Sequence, residues 1–176
     1  VIQGAGGSSK TYSILQYLVI LATKTQKNLT ISICSESFPH LRRGAMKDFF
    51  DITKEAGLYS DANHNKTNNY YMINNVKFEF FGIDEASKLR GARRDILFLN
   101  EANNISHEAF SQLFIRTKLF CFLDYNPSHL GWIRDYIQDD KTNFIKLTYL
   151  DNEFLAKSVV DYYLLAIEKA NAGSNY

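Results

Sequence analysis

Eight residues near the start, Gly4-Ala5-Gly6-Gly7-Ser8-Ser9-Lys10-Thr11, restrict this chain more than any other segment. They follow a short apolar stretch, Val1–Ile2, and lead into a run where Ile14, Leu15, Leu18, Leu21 and Ala22 recur on one face. That recurrence predicts a helix from Lys10 to about Lys24. Small residues let backbone N–H groups close around an anion, and a helix N-terminus adds positive potential. A Lys followed by Thr supplies a cation for the phosphates and a hydroxyl for Mg²⁺. Gly4, Gly6, Gly7, Ser8, Ser9, Lys10 and Thr11 are therefore the candidate phosphate-binding residues, with Thr11 also the candidate metal ligand. The common pattern of such loops, GxxxxGK[ST], has Gly where this chain has Ser9. A serine serves there if its φ is negative.

Elsewhere the chain alternates strand-like and helix-like segments. Leu29–Cys34 reads as a short buried strand. After Pro39, the positions Leu41, Ala45, Phe49, Ile52 and Ala56 mark a second helix, which Gly57 stops. Tyr70–Ile73 and Val76–Phe81 flank Asn74-Asn75 and predict a hairpin. Asp95–Leu99 and Leu119–Asp124 read as apolar strands buried inside, with Ser106 capping a helix between them. A helix over Trp132–Ile137, a strand over Phe144–Leu147 and a last helix from Leu155 to Lys169 complete the order. The expected fold class is α/β, a mainly parallel sheet flanked by helices with one inserted β-hairpin.

The chain's 176 residues suit one domain, and 45% hydrophobic content suffices for a core. No apolar run is long enough to span a membrane. A formal net charge of +1 argues against a globally basic nucleic-acid coat, while local basic patches remain. The two cysteines, Cys34 and Cys121, have no CxxC partner and read as buried small hydrophobes. The histidines His40, His64, His107 and His129 are scattered, which argues against a histidine metal site.

Two strand ends carry further chemistry. Ile96-Leu97-Phe98-Leu99-Asn100-Glu101 runs an apolar strand into polar residues, where P-loop ATPases place a metal-organising carboxylate and a water-activating Glu. Glu101 is the candidate catalytic base. Asn100 stands where an acid is usual and would act on Mg²⁺ through water. The strand before Tyr125-Asn126-Pro127 reaches the same carboxyl edge in a parallel sheet, which makes Asn126 a candidate contact for the γ-phosphate or the attacking water. Two basic clusters, Lys88 to Arg94 and His40-Leu41-Arg42-Arg43, could meet DNA phosphates or offer an arginine to a neighbouring subunit.

Together these segments resemble the ATPase domain of phage terminase large subunits. The likeness is carried by Gly4–Thr11, by Phe81-Gly82-Ile83-Asp84 leading to Lys88-Leu89-Arg90-Gly91, and by Leu99-Asn100-Glu101-Ala102. It continues through Tyr125-Asn126-Pro127 with Trp132, and through Thr148-Tyr149-Leu150-Asp151-Asn152-Glu153-Phe154-Leu155. The resemblance implies a RecA-type P-loop NTPase over residues 1–176 that binds ATP and Mg²⁺. Lys10, Glu101 and Asn126 would then be catalytic, with Asn126 in the coupling motif. It implies a DNA-packaging motor working with double-stranded DNA, a portal protein, a small terminase subunit and copies of itself in a ring. The expected place is the bacterial host cytoplasm, docked on a procapsid. The adenine-contacting segment is expected to lie upstream of Val1, and the nuclease domain of such proteins outside this chain. Many members carry an arginine among the loop glycines, where this chain has Ala5 and Gly6. The role would pass to Arg90, Arg93, Arg94 or Arg116 across a subunit boundary, leaving an isolated chain slow or inactive. A small-molecule kinase and a nucleotide-binding module without turnover are the alternatives to an ATP-driven motor.

Overall fold

The computed structural model describes residues 1–85, 91, 93–127 and 131–173, with side chains up to residue 165. Eight strands form one sheet: β1 (Ile2–Gly4), β2 (Leu29–Ser35), β3 (His64–Asn65), β4 (Tyr70–Ile73), β5 (Val76–Gly82), β6 (Arg94–Leu99), β7 (Thr117–Tyr125) and β8 (Ile145–Leu147). The helices are α1 (Lys10–Lys24), α2 (Phe38–Arg43), α3 (Ala45–Glu55), α4 (His107–Phe114), α5 (Ile133–Ile137) and α6 (Lys157–Gly173). Strand order is β3-β4-β5-β2-β6-β7-β1-β8. Pairing is parallel from β5 across to β8 and antiparallel only at β3–β4 and β4–β5. The expected hairpin is therefore present, extended by the two-residue β3.

Alternation along the strands sorts the core into two layers. In β6, Ile96 and Phe98 join the layer under α1 and α3, while Leu97 and Leu99 join the one under α4 and α5. A strand buried on both faces reads as a continuous apolar run for this reason. Phe49 anchors the first layer, its ring 4.7 Å from Phe78 and 5.2 Å from Phe80. Phe110 anchors the second, stacked on Trp132 at 4.5 Å. The indole Nε1 donates to the Ile105 carbonyl at 2.7 Å, so Trp132 has a structural place in that layer.

Three expectations need correction. The helix expected from Leu41 to Ala56 is two helices, because Gly44 (φ −104°, ψ −109°) leaves the helical region between Arg43 and Ala45. The first half of β7 is not interior, and Phe120 is 63% exposed. β1 is short and pairs with β7 only at Asp124 and Tyr125, so the earlier residues lack a neighbour on that side. Cys34 is buried as expected, whereas Cys121 is only partly so.

Candidate active site

The strand order determines what can meet. β7 lies between β1, which leads into the loop, and β6, which leads to Glu101. All three are parallel, so the loop, Asp124 at the end of β7, and the pair Asn100-Glu101 converge on one carboxyl edge.

The loop closes on itself. Ser8 Oγ donates to the Ala5 carbonyl at 2.8 Å, and a Cβ on Gly4 would collide with that hydroxyl oxygen. Gly7 has φ +78°, the region glycine occupies without steric cost. Ser9 also falls there, with φ 56° and ψ 12°. The negative φ expected of this serine is thus not what the chain adopts. Ser9 makes no side-chain cap, and the first turn of α1 carries no acidic residue. Helix geometry leaves the first N–H groups without intrahelical partners, and here no carboxylate of that turn competes with an incoming anion.

Lys10 is largely buried, and its Nζ donates to Asn126 Oδ1 at 2.8 Å. Desolvation lowers its pKa, while Asp124 and Glu101 raise it in compensation. The Thr11 hydroxyl donates to Asp124 Oδ2. Asn100 Nδ2 lies 3.3 Å from Thr11 Oγ1 and donates to both Asp124 oxygens at 3.2 Å. The Glu101 backbone N–H donates to Asp124 Oδ1 at 2.6 Å. Glu101 itself has φ 54° and ψ 53°, a costly conformation for a residue with a Cβ. Its carboxylate lies 3.1 Å from His40 Nε2. An open cleft is lined by Thr11, His40, Arg43, Asp48, Asn100 and Glu101.

The structure therefore gathers Lys10, Thr11, Asn100, Glu101 and Asn126 at one edge. Of the four candidate arginines, the three described lie elsewhere. Arg94 is fully buried at the start of β6, its guanidinium 5.7 Å from the Phe81 ring centre and donating to the Leu113 carbonyl. It cannot reach a nucleotide across a boundary, which corrects its place among the candidates. Arg93 is exposed, and Arg116 bonds the Gln112 carbonyl at 2.8 Å. Both sit at the amino edge, roughly 20 Å of strand from Glu101. Arg90 lies outside the described residues, as does most of its basic cluster. His40 leaves the other basic cluster for Glu101.

Sequence reasoning gave Asp124 no role, and it placed His40 in a basic cluster rather than beside Glu101. Asp124 had a visible signal, an ionisable side chain closing an apolar strand. The expected Tyr-x-Asp-Asn-x-Phe-Leu segment also reaches the loop, where Asn152 Nδ2 donates to the Gly7 carbonyl at 2.8 Å.

A model of the phage terminase large subunit family matches residues 1–172. The chain belongs to that family. No curated protein matches it. Among solved structures, the large terminase of a thermophilic bacteriophage is similar with a TM-score of 0.75 and 21% identity, over 92% of this chain and 43% of that one. The same thermophilic-phage protein in complex with ATP-γ-S gives 0.71 and 21%, over 92% and 42%. The ATPase domain of the Thermus phage P74-26 large terminase gives 0.60 and 13%, over 84% and 74%. This terminase chain spans less than half the length of the thermophilic-phage protein, and the likeness establishes a shared, RecA-like fold. Among the described residues no helix is long and apolar enough to cross a membrane.

Proposed function

We propose that this chain is the ATP-hydrolysing motor domain of a phage terminase large subunit, driving double-stranded DNA into a procapsid. The observation that carries this reading is the convergence of Lys10, Thr11 and Glu101 on one carboxyl edge, with Thr11 and Glu101 lining a single cleft. Membership of the family and the ATP-γ-S complex of the thermophilic-phage relative support it.

The phosphates would lie against the N–H groups from Gly4 to Thr11, with Lys10 neutralising their charge. The hydroxyl oxygen of Thr11 offers the hard oxygen chemistry that suits Mg²⁺, while Asn100 faces it with an amide N–H and would act only on a water of the metal's shell. Thr11 would help hold Mg²⁺, which when bound would supply positive charge against that developing on the transferred phosphoryl group. Glu101 accepts a proton from the attacking water and orients it. Lys10 must leave Asn126 to reach a γ-phosphate, which frees Asn126 to report the nucleotide state to β7. An arginine acting in trans, Arg93 or Arg116 among the described candidates, would have to reach a neighbour's cleft from the opposite edge. On this reading an isolated chain hydrolyses ATP slowly. Portal protein, small terminase subunit and further copies in a ring are the expected partners on the procapsid.

The test is DNA-stimulated ATP hydrolysis by the chain assembled with procapsid and DNA. Lys10→Ala should abolish nucleotide binding, and Glu101→Gln should retain binding while losing turnover. Hydrolysis unaffected by both substitutions would reject the assignment.

A further inference from the structure

We propose that Asp124, one strand away from the usual position, is the carboxylate that orients the Mg²⁺ shell. This rests on the nucleotide reading above and adds to it the identity of the metal-side charge. β7 separates the loop strand from β6, and the registers Ile2↔Asp124 and Leu99↔Leu123 put Asp124 between Thr11 and Asn100-Glu101. It is completely buried.

The hydrogen bonds specify its role. Thr11 spends its one hydroxyl proton on Asp124 Oδ2, so the Thr11 oxygen can present a lone pair to a cation. Asn100 Nδ2 spans both Asp124 oxygens, and the Glu101 N–H takes Oδ1 again. Reversing the Asn100 amide would set its carbonyl oxygen against a carboxylate, so Asn100 acts here as a donor. An acid at position 100 would instead face Asp124 across about the same 3.2 Å, two like charges in a buried site. The carboxylate that bonds Thr11 and Asn100 thus lies on β7 rather than on β6. A carboxylate held out of water by donors from Thr11, Asn100 and Glu101 sits where a divalent cation would offset its charge.

The experiment compares ATP-γ-S affinity with and without Mg²⁺ for the chain and its variants, by calorimetry. Asp124→Asn should lose at least tenfold of the gain in affinity that Mg²⁺ confers, taken as the ratio of its affinities with Mg²⁺ and in chelator. The exchange N100D/D124N, which returns the acid to β6, should recover most of that gain. A Mg²⁺ gain unaltered by Asp124→Asn overturns the proposal, and Lys10→Ala abolishing affinity beside it would leave the nucleotide reading intact. A loss that the folded exchange variant does not recover also overturns it, by assigning Asp124 to loop packing. Should Asp124→Asn not fold, the exchange variant decides alone: a gain within threefold of the parent supports the proposal, and no gain overturns it. A parent chain without any affinity for ATP-γ-S removes both this proposal and the reading beneath it.

Discussion

His40 Nε2 stands 3.1 Å from Glu101 Oε2, so the carboxylate assigned to the attacking water is tied to α2. Asn104 Nδ2 donates to the same oxygen at 3.2 Å. A carboxylate in a strained turn needs such partners to keep one orientation. His40→Ala should lower kcat about tenfold in the assembled motor, with nucleotide affinity unchanged. Steady-state kinetics with a parallel binding titration checks this, and an unchanged kcat would assign the pair no positioning role.

Ser9 offers a test of local strain. The left-handed region costs a residue with a Cβ about 1–2 kcal/mol, while glycine adds roughly 0.5–1 kcal/mol of unfolded-state entropy. Ser9→Gly should therefore stabilise the chain by about 0.5 kcal/mol, and Ser9→Val should destabilise it. Denaturant unfolding measures both. A Ser9→Gly variant clearly less stable than the parent would mean the serine side chain contributes more than its backbone costs.

The buried Asp124 makes a pH prediction for the nucleotide-free chain. Desolvation raises its folded pKa above the unfolded value of 3.8, against the pull of Thr11, Glu101 N–H, Lys10 and Asn100. The folded state then holds a proton that the unfolded state has released. Stability from this group is full below the unfolded pKa and declines as pH rises through the folded one. Asp124→Asn should remove that decline. Thermal unfolding from pH 4 to 8 reads it directly, and a variant whose Tm falls with rising pH as steeply as the parent's would contradict it.

Arg94 and Arg116 should separate cleanly. Arg94 packs against Phe81 and bonds the Leu113 carbonyl, so Arg94→Ala should cost about 2–4 kcal/mol of stability through lost packing and the cavity it leaves. Arg116→Ala should leave the fold within about 1 kcal/mol and reduce only the turnover of the assembled ring. Unfolding curves and ring ATPase rates on the same preparations distinguish the two.

What could be read from the sequence was local. The loop and the face of α1 lie within about twenty consecutive residues, and the helix begins at Lys10 and buries the face expected, with Ser9 the departure in the loop. So does the Ser106 cap, whose side chain accepts from the Ala109 N–H. The break at Gly44 was hidden because the apolar spacing runs on through it. Asp124 was hidden for a deeper reason. Its partners Thr11, Asn100 and Glu101 follow two other strands, β1 and β6, and sequence order alone does not say that β7 lies between those. The conformation of Ser9 was likewise set by loop closure rather than by residue preference.

The most direct measurement is a structure of the chain with ATP-γ-S and Mg²⁺. The account predicts phosphates against the backbone N–H groups of Gly7 to Thr11, Lys10 released from Asn126, and the Glu101 carboxylate facing the γ-phosphate. A nucleotide bound away from this loop, or a Glu101 side chain turned from the γ-phosphate, would contradict it.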